Sequence, residues 1–315
     1  MSESQKNGAR KKHSQFREVA KRFRKNPIAM VGLFIILGMF LLAALADVIA
    51  PGTERDPGYD IQNLRNIRQL PSAEYPFGTD HLGRSLLARI AHGSRITLLV
   101  GFGVVTIAMV GGVTLGALSG FYSGIVDNVI MRIMDIILAM PMLLLAIAMT
   151  AALGSGLHNV VIAVGIGAIP GFARITRAQV MSVREQEFVE AARSCGAADF
   201  RLIRRHILPN CMAPIIVETT MGMAGGIVAA AALSFLGLGL QPPTPEWGAM
   251  LSDGRRFMLA GYWHMTVFPG VALALIIFSL NMMGDGLRDA FDPRLRSAAF
   301  SKKRFKRLLR TRAKD

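Results

Sequence analysis

The sequence predicts an all-α membrane protein with six transmembrane helices. Three observations carry that prediction. Apolar stretches of about 20 residues recur along the 315-residue chain, and a hydrocarbon slab of about 30 Å takes about 20 helical residues to cross. Apolar residues make up 52% of the chain, with 32 Gly and 18 Met, which suits a polytopic bundle better than a large soluble core. The bases flank the apolar stretches: nine Lys/Arg lie in 1–27, seven in 174–211 and eleven in 285–315.

That distribution orients the chain. The formal net charge is +15, yet segment 51–95 carries six bases against five acids and 240–263 only two bases. The positive-inside rule therefore places both termini and segment 174–211 in the cytoplasm, which agrees with an even number of spans. Bases that border membrane spans give no reason to expect nucleic acid.

Taken in order, residues 1–27 form a basic cytoplasmic tail. Phe16, Val19, Ala20 and Phe23 recur at helical spacing among Arg17, Lys21, Arg22 and Arg24. This fits either a short helix on an anionic leaflet or a disordered basic tail. The first span is Ile28–Ala50. Ala44-Leu45-Ala46 before Asp47 looks like a signal-peptidase site, but the apolar run is longer than a signal peptide's and its basic leader is long. Segment 51–95 is expected outside the membrane. A five-helix core, 96–284, then holds spans Ile96–Leu118, Val129–Ala152, His158–Ile175, Met212–Leu238 and His264–Gly284. Pro170 and Arg174 crowd the end of the fourth. Residues 285–315 close the chain as a second basic tail.

The polar segment Glu190–Asn210, EAARSCGAADFRLIRRHILPN, stands out between apolar runs. It resembles the EAA loop of ABC-importer permeases, on which a cytoplasmic ATPase docks. Four further stretches strengthen the likeness. Phe77–Arg84 (FGTDHLGR) is similar to the FGTDxxGRD segment of peptide-importer permeases, with Ser85 in place of the final Asp. Asp127–Pro141 (DNVIMRIMDIILAMP) resembles that family's third span. Gln241–Gly248 (QPPTPEWG) and Met283–Arg294 (MGDGLRDAFDPR) complete the set. In this order the motifs resemble the C-type permease subunit of dipeptide and oligopeptide importers, the DppC/OppC family.

The resemblance implies the type I ABC-importer permease fold with a cytoplasmic EAA coupling-helix loop, here 178–211. It implies that Glu190, Ala191, Ala192, Gly196, His206, Leu208 and Pro209 belong to the ATPase-coupling element. Implied partners are a homologous second permease, two ABC ATPases, a periplasmic substrate-binding protein, a peptide substrate and membrane lipid. ATP and Mg would be bound by the ATPases and no cofactor by this chain. The setting would be a bacterial inner membrane.

Elementary chemistry gives the same segments local structure. Arg184–Ser194 fits one helix that Gly196 ends in a left-handed conformation, at no Cβ penalty. Asp199 suits the cap of a second helix to Ile207, with Pro209 as its stop. The apolar side of such a knob, Phe188, Val189 and Ala192, would enter a groove on a partner; an ordinary interfacial linker is the plainer reading. Small residues four apart (Gly112 and Gly116, Gly116 and Gly120, Gly167 and Gly171, Gly222 and Gly226) let helices approach closely in lipid.

Charges within spans are costly and point to function or to pairing. Arg132 and Asp135, three apart, are expected to pair as a structural ion pair. Glu218, without a helical partner, would either face the substrate path or bond a sister subunit. Pro242, Pro243 and Pro245 exclude an interior helix from the outer loop. With Trp247 they make a stiff surface, a candidate dock for the binding protein or a plain turn. Cys195 and Cys211 fit small buried residues rather than a disulfide or a metal site.

No G-x-x-x-x-G-K-[ST], H-E-x-x-H, Cys/His cluster or G-x-S-x-G occurs in the chain. A non-catalytic channel subunit is therefore expected, driven by partners' ATP hydrolysis. The resemblance extends to importers of nickel and glutathione. A self-sufficient secondary transporter is the alternative from another class, but no convincing internal repeat supports it.

Overall fold

The computed structural model describes residues 17–52 and 57–292. Phe16, the rest of the N-terminal tail before it and the tail from residue 293, with Arg294, lie outside the described residues. Residues 17–23 are helical, with Val19 and Phe23 partly covered and Arg17 and Lys21 exposed.

The first long helix, α1, spans Pro27–Ala44. The Asn26 side chain accepts from the Ile28 and Ala29 amides at 3.1 and 3.2 Å, and proline at the first helical position needs no donor. Ala29, Gly32, Ile36, Met39 and Ala43 form its buried stripe, while Phe34, Leu37 and Leu41 are exposed on the other side, as lipid requires. Leu45 interrupts the helix, so the first span ends six residues before the expected Ala50 and a single turn, α2, follows at Ala46–Ile49.

α3, Leu86–Tyr122, is 37 residues long. At 1.5 Å per residue it reaches about 55 Å and outruns the hydrocarbon slab. It begins ten residues before the expected span because Ser85 caps it, accepting from the Ala88 amide at 3.4 Å. Ser85 thus has a local role of its own. A Cβ on Gly112 would stand 2.8 Å from the Ile169 carbonyl oxygen, and one on Gly120 2.8 Å from that of Arg177. The glycine spacing therefore serves close helix packing.

The expected third span is broken. α4 runs Gly124–Ala139 and α5 Met142–Leu153, bent by 87° at Met140–Pro141. A residue before proline is pushed out of the α region, and Met140 is extended (φ −96°, ψ 132°). The pair reaches from one end of the bundle toward the other: Asp127 sits beside Arg177, and Ala146 packs in the cluster with Val100, Val160 and Leu233. Counting it as one bent span gives six; five single helices also pass as spans by length and composition.

α6, Leu157–Arg184, absorbs Pro170 in its interior and continues nine residues past the expected end at Ile175. After the loop described below come α9, Leu208–Phe235, then α10, Trp247–Met258, and α11, His264–Phe291. α11 packs along α1, where a Cβ on Gly32 would lie 2.7 Å from the Ser279 carbonyl oxygen. Asn26 and Asp289 meet at 3.4 Å, so the two ends of the described chain adjoin.

The bundle has a proximal end, bearing Arg184, and a distal end. At the distal end the FGTDHLGR segment is a folded turn. Asp80 accepts from the Leu82 and Arg84 amides and binds the Arg84 guanidinium at 2.7 Å, and Arg84 reaches Asp60 at 2.9 Å. Buried Arg89 donates to the carbonyls of Tyr59 (3.4 Å) and Pro243 (3.3 Å), tying this turn to the proline-rich loop.

Candidate functional site

At the proximal end two short helices and a π-helical turn leave the bundle. α7 is Glu187–Ser194; α8 is Asp199–Arg201, continuing as a π-helix at Leu202–Ile207 directly into α9. The expected single helix Arg184–Ser194 is interrupted at Glu185–Gln186, where Gln186 is extended. That break lets α7 turn away from α6 rather than prolong it. Gly196 does take the left-handed conformation, φ +81°, and ends α7. Pro209 does not stop a helix. It lies within a helical path that runs on from Asp199 to Phe235, directly after the π-helical turn Leu202–Ile207. Asp199 is likewise the first helical residue rather than a cap.

The orientation of α7 differs from the one expected. Val189 is 1% exposed and points inward, joining Phe121, Val180, Val183, Leu202, Ile207 and Ile215 in one cluster, with Ala192 packed against it. These residues hold the knob to the ends of α3, α6 and α9 and are not available to a partner. The outward surface is Phe188 (40% exposed), Glu190, Ala191, Cys195, Gly196 and Phe200 (71% exposed). Pro209 is exposed at its edge, while His206 and Leu208 are half-buried. His206 offers its carbonyl to the Asn210 side chain at 2.6 Å. Cys195 is exposed, contrary to expectation, because it follows the last turn of α7; Cys211 is buried in α9.

Three arginines of α6 fasten the knob's root. Arg184 donates to the Gly120 and Phe121 carbonyls (3.2 and 2.7 Å) and to Ser123 Oγ (2.6 Å), satisfying orphan carbonyls at the C-terminus of α3. Arg177 binds Asp127 through two hydrogen bonds of 2.6 Å, and Ser119 donates to the same carboxylate. Arg174 binds Asp135 at 2.7 Å. The expected Arg132–Asp135 pair is therefore replaced: α6 brings Arg174 to the Asp135 face, while Arg132 stays exposed. The Arg174–Asp135 pair is itself half-exposed (55% and 47%), and such a pair is costly against lipid. Glu218 is half-buried in α9, and a Cβ on Gly171 would lie 3.7 Å from its Oε1.

At the distal end the proline-rich loop is not the surface it promised to be. Pro242 and Pro243 are exposed, but Pro245 is buried and Trp247 is 1% exposed, its indole N–H donating to the Ile90 carbonyl at 3.2 Å. Glu246 caps α10 by accepting from the Gly248 and Ala249 amides at 2.9 and 2.8 Å. Trp247 is thus an internal wedge between α10 and α3. Any dock here is left to Pro242 and Pro243.

A family model described as binding-protein-dependent transport system inner membrane component matches residues 112–297, more than half of the chain. The chain belongs to this family of transport permeases. A second model, described as the N-terminal TM domain of oligopeptide transport permease C, matches residues 14–71. Among similar proteins is the dipeptide transport system permease protein DppC of Alkalihalophilus pseudofirmus, 47% identical over 90% of this chain and 91% of that one. The di/tripeptide transport system permease protein DppC of Pseudomonas aeruginosa is 43% identical over 91% and 94%. The glutathione transport system permease protein GsiD of Pectobacterium atrosepticum is 43% identical over 90% and 92%. The fold is similar to a chain of the MetNI methionine ABC transporter in an inward-facing conformation, at TM-score 0.53 and 19% identity, over 65% of this permease and 97% of that chain.

Within this permease the sequence reading missed Asp127, Arg177 and Arg184. Part of their signal was present: Arg174 and Arg177 stand three apart, and Asp127 and Asp135 lie in the segment before them. Pairing across helices depends on which helices adjoin, and the sequence spacing alone does not say.

Proposed function

We propose that this permease forms half of the translocation channel of an ATP-driven importer for dipeptides or short oligopeptides. Its other half is a homologous second permease, with two ABC ATPases and a substrate-binding protein completing the complex. The observation that carries this reading is the outward surface of the knob: Phe188 and Ala191 of α7 and Phe200 of α8 stand exposed, while the inner side of α7 is locked into three spans. An exposed aromatic pair on a rigid base suits a groove on a partner. The peptide substrate is supported by the names of the DppC relatives. Glutathione, itself a peptide, is the second reading and is supported by the GsiD relative.

Mechanically, closure of the ATPases on ATP displaces α7. Val189 and its cluster pass that displacement to α3, α6 and α9 together, because a close-packed interior transmits strain rather than absorbing it. Arg184 and Arg177 carry α4 along. The chain itself performs no chemistry in this scheme; ATP and Mg are bound by the ATPases. The basic segments, by the positive-inside rule, support a cytoplasmic α7 and cytoplasmic tails in a bacterial inner-membrane system.

Purification of the tagged chain in mild detergent tests this directly. Co-purification of a second permease and P-loop ATPases, and ATP-dependent dipeptide uptake after reconstitution, are expected. Recovery of this chain alone, under conditions that preserve a control importer, would point to a self-sufficient carrier.

A further inference from the structure

Glu218 lies in the interior of a membrane-spanning helix, where a carboxylate facing lipid is excluded by its desolvation cost. Among the described residues it has neither a hydrogen-bond nor an ion-pair partner. Its neighbourhood is open. On α6 the residue opposite is Gly171, where an added Cβ would meet nothing within 4 Å except Glu218 Oε1. Two turns further along α9, an added Cβ on Gly225 would meet nothing within 4 Å. One turn past Gly171 stands the half-exposed Arg174–Asp135 pair, also unsuited to lipid.

An unpaired carboxylate facing a glycine of the next helix, on a side of the bundle that also carries the exposed Gly225 and a charge pair, is poorly suited to lipid and suits a wetted face. We propose that Glu218 contacts the positively charged ammonium group of the substrate in the translocation path. This rests on the peptide-import reading and deepens it by naming the chemical group recognised. A divalent metal ion is the poorer fit, because its site draws on several protein oxygens or nitrogens. No group of three or more His, Cys, Asp or Glu side chains that could hold one occurs among the described residues. A primary ammonium takes a single carboxylate, through a charge-assisted hydrogen bond. Gly171 keeps the opposite wall low, so a peptide backbone can pass the carboxylate.

The test uses the complete importer in proteoliposomes, with Glu218→Gln and Glu218→Asp beside the unaltered protein. Three quantities are read: uptake of radiolabelled dialanine, ATP hydrolysis stimulated by the loaded binding protein, and retention of the second permease. Glu218→Gln is expected to lower uptake roughly ten- to a hundredfold, the range of one charged hydrogen bond. Stimulated hydrolysis stays within about twofold, the second permease is retained, and Glu218→Asp recovers much of the uptake. Unchanged uptake by Glu218→Gln would overturn the proposal. So would loss of the second permease from that variant, which would assign the carboxylate to the subunit interface. Failure of the unaltered, fully assembled complex to import dialanine would instead overturn the peptide reading, and the proposal with it.

Discussion

Asp127 and Arg177 are joined by two hydrogen bonds of 2.6 Å, one to each carboxylate oxygen, across fifty residues of sequence. Asp127 lies in the first turn of α4 and Arg177 two turns before the end of α6, so the pair fixes the broken span to the helix that leads into α7. Ser119 of α3 donates to the same carboxylate, making this the meeting point of three helices.

The pair is expected to behave as a unit. Asp127→Asn or Arg177→Gln alone should destabilise the detergent-solubilised protein by about 1.5–3 kcal/mol, the worth of a hydrogen bond to a charged group. A double-mutant cycle followed by thermal unfolding should give a coupling energy above about 0.5 kcal/mol. Additive single effects would mean that the two side chains act separately.

Residues on the two faces of the α7–α8 knob should fail differently. Phe188→Ala and Phe200→Ala remove exposed rings and should leave stability within about 0.5 kcal/mol while weakening ATPase co-purification. Val189→Asp buries a charge in the cluster of Phe121, Leu202 and Ile207 and should destabilise the proximal end itself. Thermal unfolding of the permease alone, set beside ATPase recovery, separates the two.

At Gly196 the demand is conformational. With φ at +81° and open space around the missing Cβ, bulk is tolerated but a β-branched side chain is strained. Gly196→Val should cost about 1–2 kcal/mol locally and lower uptake without affecting membrane insertion. Gly196→Asn, which visits the left-handed region readily, should retain uptake. Equal loss with both variants would mean that size, not conformation, matters.

Trp247 is expected to be structural. Trp247→Ala should destabilise the protein by about 3–5 kcal/mol, as for a large side chain removed from a core. Trp247→Phe loses the hydrogen bond to the Ile90 carbonyl and should cost about 1 kcal/mol or more. Pro242→Ala and Pro243→Ala, at exposed positions, should leave stability nearly unchanged; if they also leave binding-protein stimulation unchanged, the loop has no docking role.

Much of this fold was legible from apolar length and charge placement, because lipid imposes both. The break at Met140–Pro141 was not read: Pro141 was in view, but a continuous apolar run masked it. The phase of α7 was not. Over eight residues Phe188 and Val189 are adjacent apolar side chains, and only the packing of Leu202 and Ile207 decides which turns inward. Trp247 misled for a related reason, since an aromatic after three prolines reads as surface until α3 supplies the carbonyl it binds. Asp135 chose Arg174 over Arg132 because the neighbouring helix offered better geometry than its own.

Coupling through α7 is the central claim, and Cys195 reports on it without any substitution. It is exposed at the end of α7, while Cys211 is buried and serves as the internal control. The measurement is the rate of maleimide labelling of Cys195 in the purified permease and in the full complex with its ATPases. Docking on α7 predicts labelling in the permease alone and protection of about tenfold or more in the complex, with Cys211 unreactive in both. Equal labelling of Cys195 with and without bound ATPases would contradict it.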